Sequence, residues 1–315
     1  TGAPHPWTNT CYWLAFDPAE KGRAWAVWGN AHDLPRDKMF GRDGSFDRYQ
    51  GGVTVTTDGG RTWSVAGTGV PANAVSTCVL VDPESPADSR TLYITVYGQG
   101  VYKSADGGAT WATANNGLGG NLYAWRITRT PGGRLYLLLT RGRRGPETVD
   151  GELYTSTDGA ASWQKVALPE GVNAPHDIVP DPQEEKRVYL ACWTRKGENG
   201  IDAGGGVFRS EDGGASWKSI FDGSMRVNSL AVSPQQTETI FINTFQNSAW
   251  RSDDRGESWK RLDGYRFKWG QRPNINPKRP DLIYLTTYGG SVFVGPSHGV
   301  PGASEDIVNM PSAWW

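Results

Sequence analysis

The chain has 315 residues, of which 41 are glycine, 15 are tryptophan and 37% are hydrophobic, a composition that favours many short strands and turns over long amphipathic helices. Its 32 basic and 33 acidic residues leave a net charge of -1, so no field of the whole chain attracts nucleic acid or an anionic membrane. No apolar stretch approaches the length of a membrane span. Three scattered cysteines, Cys11, Cys78 and Cys192, are too few for a disulfide scaffold or a zinc cluster, and one bridge, such as Cys11 with Cys78, is left open.

An internal repeat organises the chain from its first predicted strand to its last. Each unit opens with an apolar strand that ends near a proline, as in Val79–Pro83, and a second strand such as Leu92–Tyr97 follows. A third short strand, such as Gly100–Lys103, leads through a hairpin to a fourth. The repeats predict six four-stranded sheets, at about residues 11–66, 76–115, 124–168, 176–221, 227–262 and 270–315.

Five of the six units carry the same hairpin motif, which ends in a hydroxyl residue and a tryptophan. Its copies are Thr56–Trp63, Ser104–Trp111, Ser156–Trp163, Ser210–Trp217 and Ser252–Trp259. The aspartate of the motif can accept hydrogen bonds from the N–H groups of the turn, and glycine supplies positive φ. The tryptophan can wedge between neighbouring sheets and bury a large area. These aspartates are therefore predicted to be structural rather than catalytic.

Four-stranded sheets that recur every 40 to 50 residues or so predict the blades of a β-propeller. We expect an all-β chain that forms a single propeller domain over residues 1–315, with six blades, and a seventh blade is left open. The sixth unit lacks the hairpin motif, so residues 1–10 or 303–315 are expected to supply its fourth strand. The abrupt ending at Trp315 suggests further domains or chains of a larger protein.

The five motif copies resemble Asp-boxes, also called bacterial neuraminidase repeats, which occur in sialidases, in two-propeller xyloglucan hydrolases and in sortilin-type receptor domains. The resemblance covers about residues 14–295 and implies the β-propeller fold, with the boxes lying away from the active-site face. Arg126–Thr128 matches the Arg-Ile-Pro motif of sialidases only in part. Xyloglucan hydrolases place a catalytic aspartate just after the second strand of a blade, and Asp33 follows Trp25–Trp28 in the same way.

Propeller geometry predicts where a site would form, because the inner strands begin on the face opposite the boxes and the long loops lie there. Counting back from the prolines places Trp125, Arg126, His176, Asp177 and Arg272 at the tops of inner strands. Such a group would suit a polar ligand with a carboxylate that arginine could grip. The structural alternative is that these side chains pair with one another and fill the central channel of the propeller.

Glycoside hydrolysis needs two carboxylates that span the scissile bond, and Asp33 and Asp177 are the predicted pair, with His176 as a further catalytic candidate. The predicted substrate-binding residues are arginines and aromatic residues that could stack on sugar rings. They are Arg36, Arg126, Arg272, Trp28, Trp125, Trp193, Trp269 and Tyr123. A polysaccharide lyase is the catalytic alternative, in which His176 or Tyr123 would act as base while Arg126 and Arg272 neutralise a uronate.

The sequence therefore predicts a secreted, carbohydrate-active propeller, similar to glycoside hydrolases, in the extracellular or periplasmic space. The alternative from another class is a non-catalytic receptor or assembly propeller that binds glycan or protein with the same face. Carbohydrate is the expected partner, and no cofactor, metal, nucleic acid or membrane span is expected.

Overall fold

The computed structural model describes residues 10–31, 34, 49–144, 147–196, 202–288 and 292–303. These residues form antiparallel sheets and contain no helix. The fold is an all-β, six-bladed β-propeller, which confirms the predicted class. Two compact units divide the chain, Thr1–Val166 and Ala167–Trp315.

The strands of the first unit are β1 (Thr10–Phe16), β2 (Ala24–Gly29), β3 (Gly51–Thr56), β4 (Ser64–Val65), β5 (Ser76–Val81), β6 (Leu92–Val96), β7 (Gly100–Ser104), β8 (Ala112–Thr113), β9 (Ala124–Arg129), β10 (Leu135–Leu139), β11 (Gly142–Arg144), β12 (Glu147–Val149), β13 (Glu152–Ser156) and β14 (Gln164–Val166). They make three four-stranded blades, in the orders β1-β2-β3-β4, β5-β6-β7-β8 and β9-β10-β13-β14. The hairpin of β11 and β12 is inserted between the second and third strands of the third blade.

The strands of the second unit are β15 (Pro175–Pro180), β16 (Val188–Cys192), β17 (Arg195–Lys196), β18 (Asp202–Ala203), β19 (Gly206–Ser210), β20 (Lys218–Phe221), β21 (Val227–Val232), β22 (Ile240–Thr244), β23 (Ala249–Ser252), β24 (Lys260–Arg261), β25 (Gly270–Asn276), β26 (Arg279–Thr287) and β27 (Val292–Pro296). Blade four is β15-β16-β19-β20, with the hairpin β17-β18 inserted, and blade five is β21-β22-β23-β24. Blade six has three strands among the described residues, and the terminal segments predicted to complete it fall almost wholly outside them.

The core of each unit lies along the second strands of its blades. Every residue of β6, β10, β16 and β22 is buried, because these strands have a neighbouring strand on each side and packed side chains on both faces. This burial explains why a second strand such as Leu135–Leu139 is a continuous apolar run instead of an alternating one. In the first unit, Leu137 packs in a cluster with Ile127 and Trp163.

Each hairpin motif is closed by hydrogen bonds around its aspartate. In the second copy Asp106 accepts hydrogen bonds from the N–H of Thr110 at 2.9 Å, from its hydroxyl at 2.6 Å and from the hydroxyl of Ser104 at 2.7 Å. The N–H of Gly108, whose φ is 97°, donates to Ser104 Oγ at 2.9 Å. The hydrogen bonds from Thr110 and Ser104 lower the pKa of Asp106 to about 2. The carboxylate is thus a turn element, as the motif predicted.

The motif tryptophans join a blade to the end of the preceding one. Trp163 Nε1 donates to the carbonyl of Ala114 at 2.8 Å, and Trp259 Nε1 donates to that of Ile220 at 2.6 Å. Burial is unequal: Trp163 is 3% exposed, while Trp63 is half-buried and donates to Gly60 within its own turn at 3.2 Å. The expected wedge between sheets therefore holds for some copies more than for others.

A buried ion pair joins the first two blades. Asp17 Oδ1 lies 3.0 Å from Arg90 Nη2, and the exposed fractions of the two side chains are 0% and 3%. Burial raises the pKa of Asp17, but hydrogen bonds from Arg90, the Ala19 backbone and Arg23 outweigh it and hold the pKa well below its usual range. The three cysteines of the chain are free.

Candidate functional site

Three half-buried aromatic side chains pack against one another in succession in the second unit, and we call Trp193, Phe245 and Trp269 the aromatic strip. The ring centroids of Trp193 and Phe245 are 5.3 Å apart, and those of Phe245 and Trp269 are 6.3 Å apart. All three residues are half-buried. Trp193 belongs to blade four, Phe245 to blade five and Trp269 to the segment that leads into blade six. The strip therefore forms only when these blades pack against one another.

The backbone fixes the strip at the ends of strands. Trp193 follows β16 and donates its N–H to Ala174 O at 2.9 Å, and Phe245 follows β22 and donates its N–H to Arg226 O at 2.8 Å. Trp269 precedes β25 and donates its N–H to Phe245 O at 2.6 Å. Trp269 also has a φ of 59°, a left-handed conformation that costs a bulky residue about 1–3 kcal/mol and is found preferentially at functional sites.

A cation lies along the strip. The guanidinium carbon of Arg226 is 5.9 Å from the ring centroid of Trp193 and 5.9 Å from that of Phe245. Its Nε donates to Thr194 Oγ1 at 3.0 Å. Arg226 thus brings a positive charge to the aromatic surface in a fixed position.

Asn228, which is 3% exposed, holds Trp193 of the strip by a hydrogen bond. Its Oδ1 accepts a hydrogen bond from Trp193 Nε1 at 2.6 Å, and its Nδ2 donates to the carbonyl of Gly270. Its backbone carbonyl lies 2.6 Å from Nδ1 of His176, whose ring stacks on Trp193 at 5.1 Å and 7°. Because a carbonyl oxygen only accepts, Nδ1 of His176 carries the proton in this contact.

Asp177 and Arg272 form an ion pair beside the strip. Asp177 Oδ2 is 3.5 Å from Arg272 Nη1, and the exposed fractions of the side chains are 1% and 24%. Oδ1 of Asp177 also accepts the N–H of Ile178 at 3.1 Å. The predicted catalytic carboxylate is therefore enclosed, whereas the arginine reaches the surface.

In the first unit, Trp125 and Arg126 pack on one another. The guanidinium carbon of Arg126 is 4.0 Å from the ring centroid of Trp125 and 4.7 Å from that of Trp13. Arg126 Nη1 donates to Thr77 O at 3.1 Å and to Trp125 O at 3.0 Å. Trp125 is 1% exposed and Arg126 is 7% exposed, so both belong to the interior of this unit.

Of the other four predicted site residues, Tyr123 and Trp28 are described and belong to the first unit. Tyr123 is buried against Tyr97, with ring centroids 5.1 Å apart, and its hydroxyl donates to the carbonyl of Arg143. Trp28 is half-buried and donates its Nε1–H to Thr54 Oγ1 at 2.7 Å. Asp33 and Arg36 lie outside the described residues.

The described part of the chain contains neither a metal-binding cluster nor a membrane-spanning helix. No group of three or more His, Cys, Asp and Glu side chains there could hold a metal ion. No helix there has the length and apolarity that crossing a membrane requires.

The sequence singled out Trp193 and Trp269 as substrate-binding residues, whereas Phe245, Arg226 and Asn228 were not among the predicted site residues. Phe245 follows the second strand of blade five as Trp193 follows that of blade four, and an aromatic residue that recurs at this place in a blade usually serves packing. Arg226 and Asn228 flank the start of β21 and carry no local motif. Their role depends on neighbours in other blades.

No family model matches the chain. A curated xyloglucanase from Paenibacillus sp is 25% identical over an aligned length of 213, and the match covers 58% of this chain and 20% of that protein. The solved GH74 xyloglucanase of Xanthomonas campestris aligns with a TM-score of 0.64 and 19% identity over 92% of this chain and 46% of its own. A structure of YCF48 bound to D1 peptide aligns with a TM-score of 0.61 and 14% identity, over 93% and 81%.

The chain thus spans about a fifth of the curated relative's length and less than half of the solved xyloglucanase. At these identities the structural likenesses show the fold alone. The hairpin motifs and the alignments together make the chain a β-propeller of the Asp-box type that resembles xyloglucanase and YCF48 propellers.

Proposed function

We propose that the chain is a carbohydrate-binding propeller and that the aromatic strip of Trp193, Phe245 and Trp269 is its glycan platform. The spacing of the strip, 5.3 and 6.3 Å between successive rings, carries the proposal. Three half-buried rings in mutual contact offer a sugar an apolar surface, and the C–H faces of sugar rings are apolar. The 25% identity to the Paenibacillus xyloglucanase supports the same ligand class. We place this binding outside the cytoplasm, in the extracellular or periplasmic space.

The strip can be tested with a matched pair of phenylalanine variants. Phe245 and Phe221 are both half-buried in the second unit, and each packs against two tryptophans. Retardation in native gels that contain xyloglucan, polygalacturonate or a neutral galactan measures binding. Phe245→Ala should lose the retardation, and Phe221→Ala should keep it. Failure of every polysaccharide in the panel to retard the unsubstituted protein would refute the proposal.

Hydrolysis of the bound glycan is the catalytic form of this proposal, with Asp33 and Asp177 as acid and base. Glycosidases need two carboxylates about 5 to 10 Å apart, and the similarity to the Paenibacillus xyloglucanase favours this chemistry. New reducing ends and unsaturated products, measured across the same polysaccharides, separate hydrolase from lyase. Asp33→Asn and Asp177→Asn should each abolish cleavage, and unchanged cleavage in both variants excludes the pair.

Peptide binding is the second candidate, and one observation favours it. The chain covers 81% of the YCF48 chain that was solved with D1 peptide, and tryptophan and arginine are enriched where proteins bind proteins. Binding of an unstructured peptide library that Phe245→Ala abolishes, with no retardation by polysaccharides, would establish this function in place of the first.

A further inference from the structure

We propose that Asn116 is a site of spontaneous covalent modification, at which the side-chain amide is converted to aspartate or isoaspartate. Asparagine is a thermolabile residue, and a following glycine, which has no Cβ, leaves its backbone nitrogen open to the asparagine side chain. Asn116 and Gly117 form such a pair, and both are exposed in the segment that follows β8. The chain has one other Asn-Gly pair, Asn199–Gly200, which lies outside the described residues.

The reaction needs no reagent other than water. The backbone nitrogen of Gly117 gives up its proton and attacks Cγ of Asn116, so that an N–Cγ bond forms, the Cγ–Nδ2 bond breaks and ammonia leaves with the proton. Water then opens the five-membered ring at Cγ, which gives aspartate, or at the backbone carbonyl, which gives isoaspartate. The N–H of Gly117 donates to no group in the described part of the chain, so no hydrogen bond has to break before the attack.

The neighbouring Asn115 shows what a protected amide looks like. Its Oδ1 accepts the N–H of Val101 at 2.7 Å, and its Nδ2 donates to the carbonyl of Gln99 at 2.9 Å. Asn116 has one such contact, from Nδ2 to the carbonyl of Ala161 at 3.1 Å, and its side chain is exposed. The amide of Asn115 is therefore held at both of its polar atoms, whereas that of Asn116 is held at one.

Asn116 also joins blade two to the third copy of the hairpin motif, so its conversion has a structural consequence. Its backbone carbonyl accepts the N–H of Trp163 at 2.9 Å, and its side chain donates to Ala161 O. A carboxylate only accepts hydrogen bonds, so conversion removes this donor and sets two acceptors against each other. The glycine cannot be exchanged to avoid the reaction, because Gly117 has a φ of 88° and a Cβ there would lie 2.3 Å from Trp163 O.

Incubation of the intact protein in mildly alkaline buffer, followed by tryptic digestion and mass spectrometry, tests the assignment. Asn115, Asn116 and Asn121 all lie in the tryptic peptide of residues 104–126, and Asn121 is only 2% exposed. We expect the folded protein to lose the Asn116 amide before any change at Asn115 or Asn121 is detected, at a rate that rises with pH. Conversion of Asn116 only after unfolding in urea, or equal rates at Asn115 and Asn116 in the folded protein, would overturn the proposal.

Three variants test the chemistry and its consequence. Asn116→Gln keeps an amide but closes the corresponding six-membered ring far more slowly, so it should stop the conversion at this position. Asn116→Asp represents one product and should lower the midpoint of urea unfolding. Thr157→Asp adds the same charge to the third motif copy, at an exposed position that Glu211 and Asp253 occupy in other copies, and should leave the midpoint unchanged. Equal midpoints for Asn116→Asp and Thr157→Asp would overturn the inferred weakening of the joint.

Discussion

Replacing the motif tryptophans one at a time tests whether burial, and not the motif itself, sets their contribution to stability. Trp163 is 3% exposed, packs among Ile127, Leu137 and Tyr154, and donates to Ala114 O at 2.8 Å. Trp163→Ala should therefore lower the free energy of unfolding by about 3–5 kcal/mol, the range for a large aromatic residue removed from a core. Trp163→Phe retains most of the ring but leaves the Ala114 carbonyl without this donor, which should cost about 1–3 kcal/mol.

Trp63 is the matched control, since it occupies the same position of the motif but is half-buried and donates within its own turn. Trp63→Ala should cost less than about 2 kcal/mol, because partial burial removes less apolar surface from water. Urea unfolding followed by far-ultraviolet circular dichroism gives the midpoint for each variant. Equal midpoint shifts for Trp163→Ala and Trp63→Ala would refute the reasoning from burial.

Three further predictions follow from the same contacts. The pKa of Asp106 is lowered to about 2, below the value of about 3.9 for an unfolded aspartate. Its hydrogen bonds therefore stabilise the fold above pH 3.9 or so, and this stabilisation should be lost as the pH falls towards 2. Urea midpoints that do not fall over this pH interval would contradict the prediction. Asp17→Asn removes the buried carboxylate that faces Arg90 and should lower the free energy of unfolding by about 3–5 kcal/mol. Asp281→Asn breaks an exposed ion pair and should leave the thermal midpoint nearly unchanged. A similar shift of the thermal midpoint in both variants would contradict the assignment. Asn228→Leu removes a hydrogen-bond acceptor of Trp193 and should weaken glycan binding about tenfold, which is about 1.4 kcal/mol. Circular dichroism should show that the variant is folded. Undiminished affinity would exclude a supporting role for Asn228.

Local signals were sufficient for the blades. The aspartate turns, the prolines after inner strands and the apolar second strands each act over a few residues. Their repetition predicted six blades, and the described residues form six, together with two short inserted hairpins. The prediction that the motif aspartates are structural is likewise explained by contacts inside one turn, such as Thr110 with Asp106. Such contacts can be read from sequence because both partners lie within four positions of each other.

Local sequence signals predicted only part of the candidate site. The sequence named Trp193 and Trp269 as substrate-binding residues, but no local signal linked them to each other. Phe245 completes the strip from a third segment, and Arg226 is set against two of its rings. Trp125 and Arg126, predicted for the ligand, pack on each other in the interior.

By itself, the sequence determined the strand pattern and the hairpin chemistry and predicted six blades with a seventh left open, because each depends on hydrogen bonds and side-chain patterns between residues close in the chain. Only the tertiary structure decided which aromatic residues stay partly exposed and which cation accompanies them. Those outcomes depend on how side chains from different blades pack, and the residues that meet there are far apart in the chain.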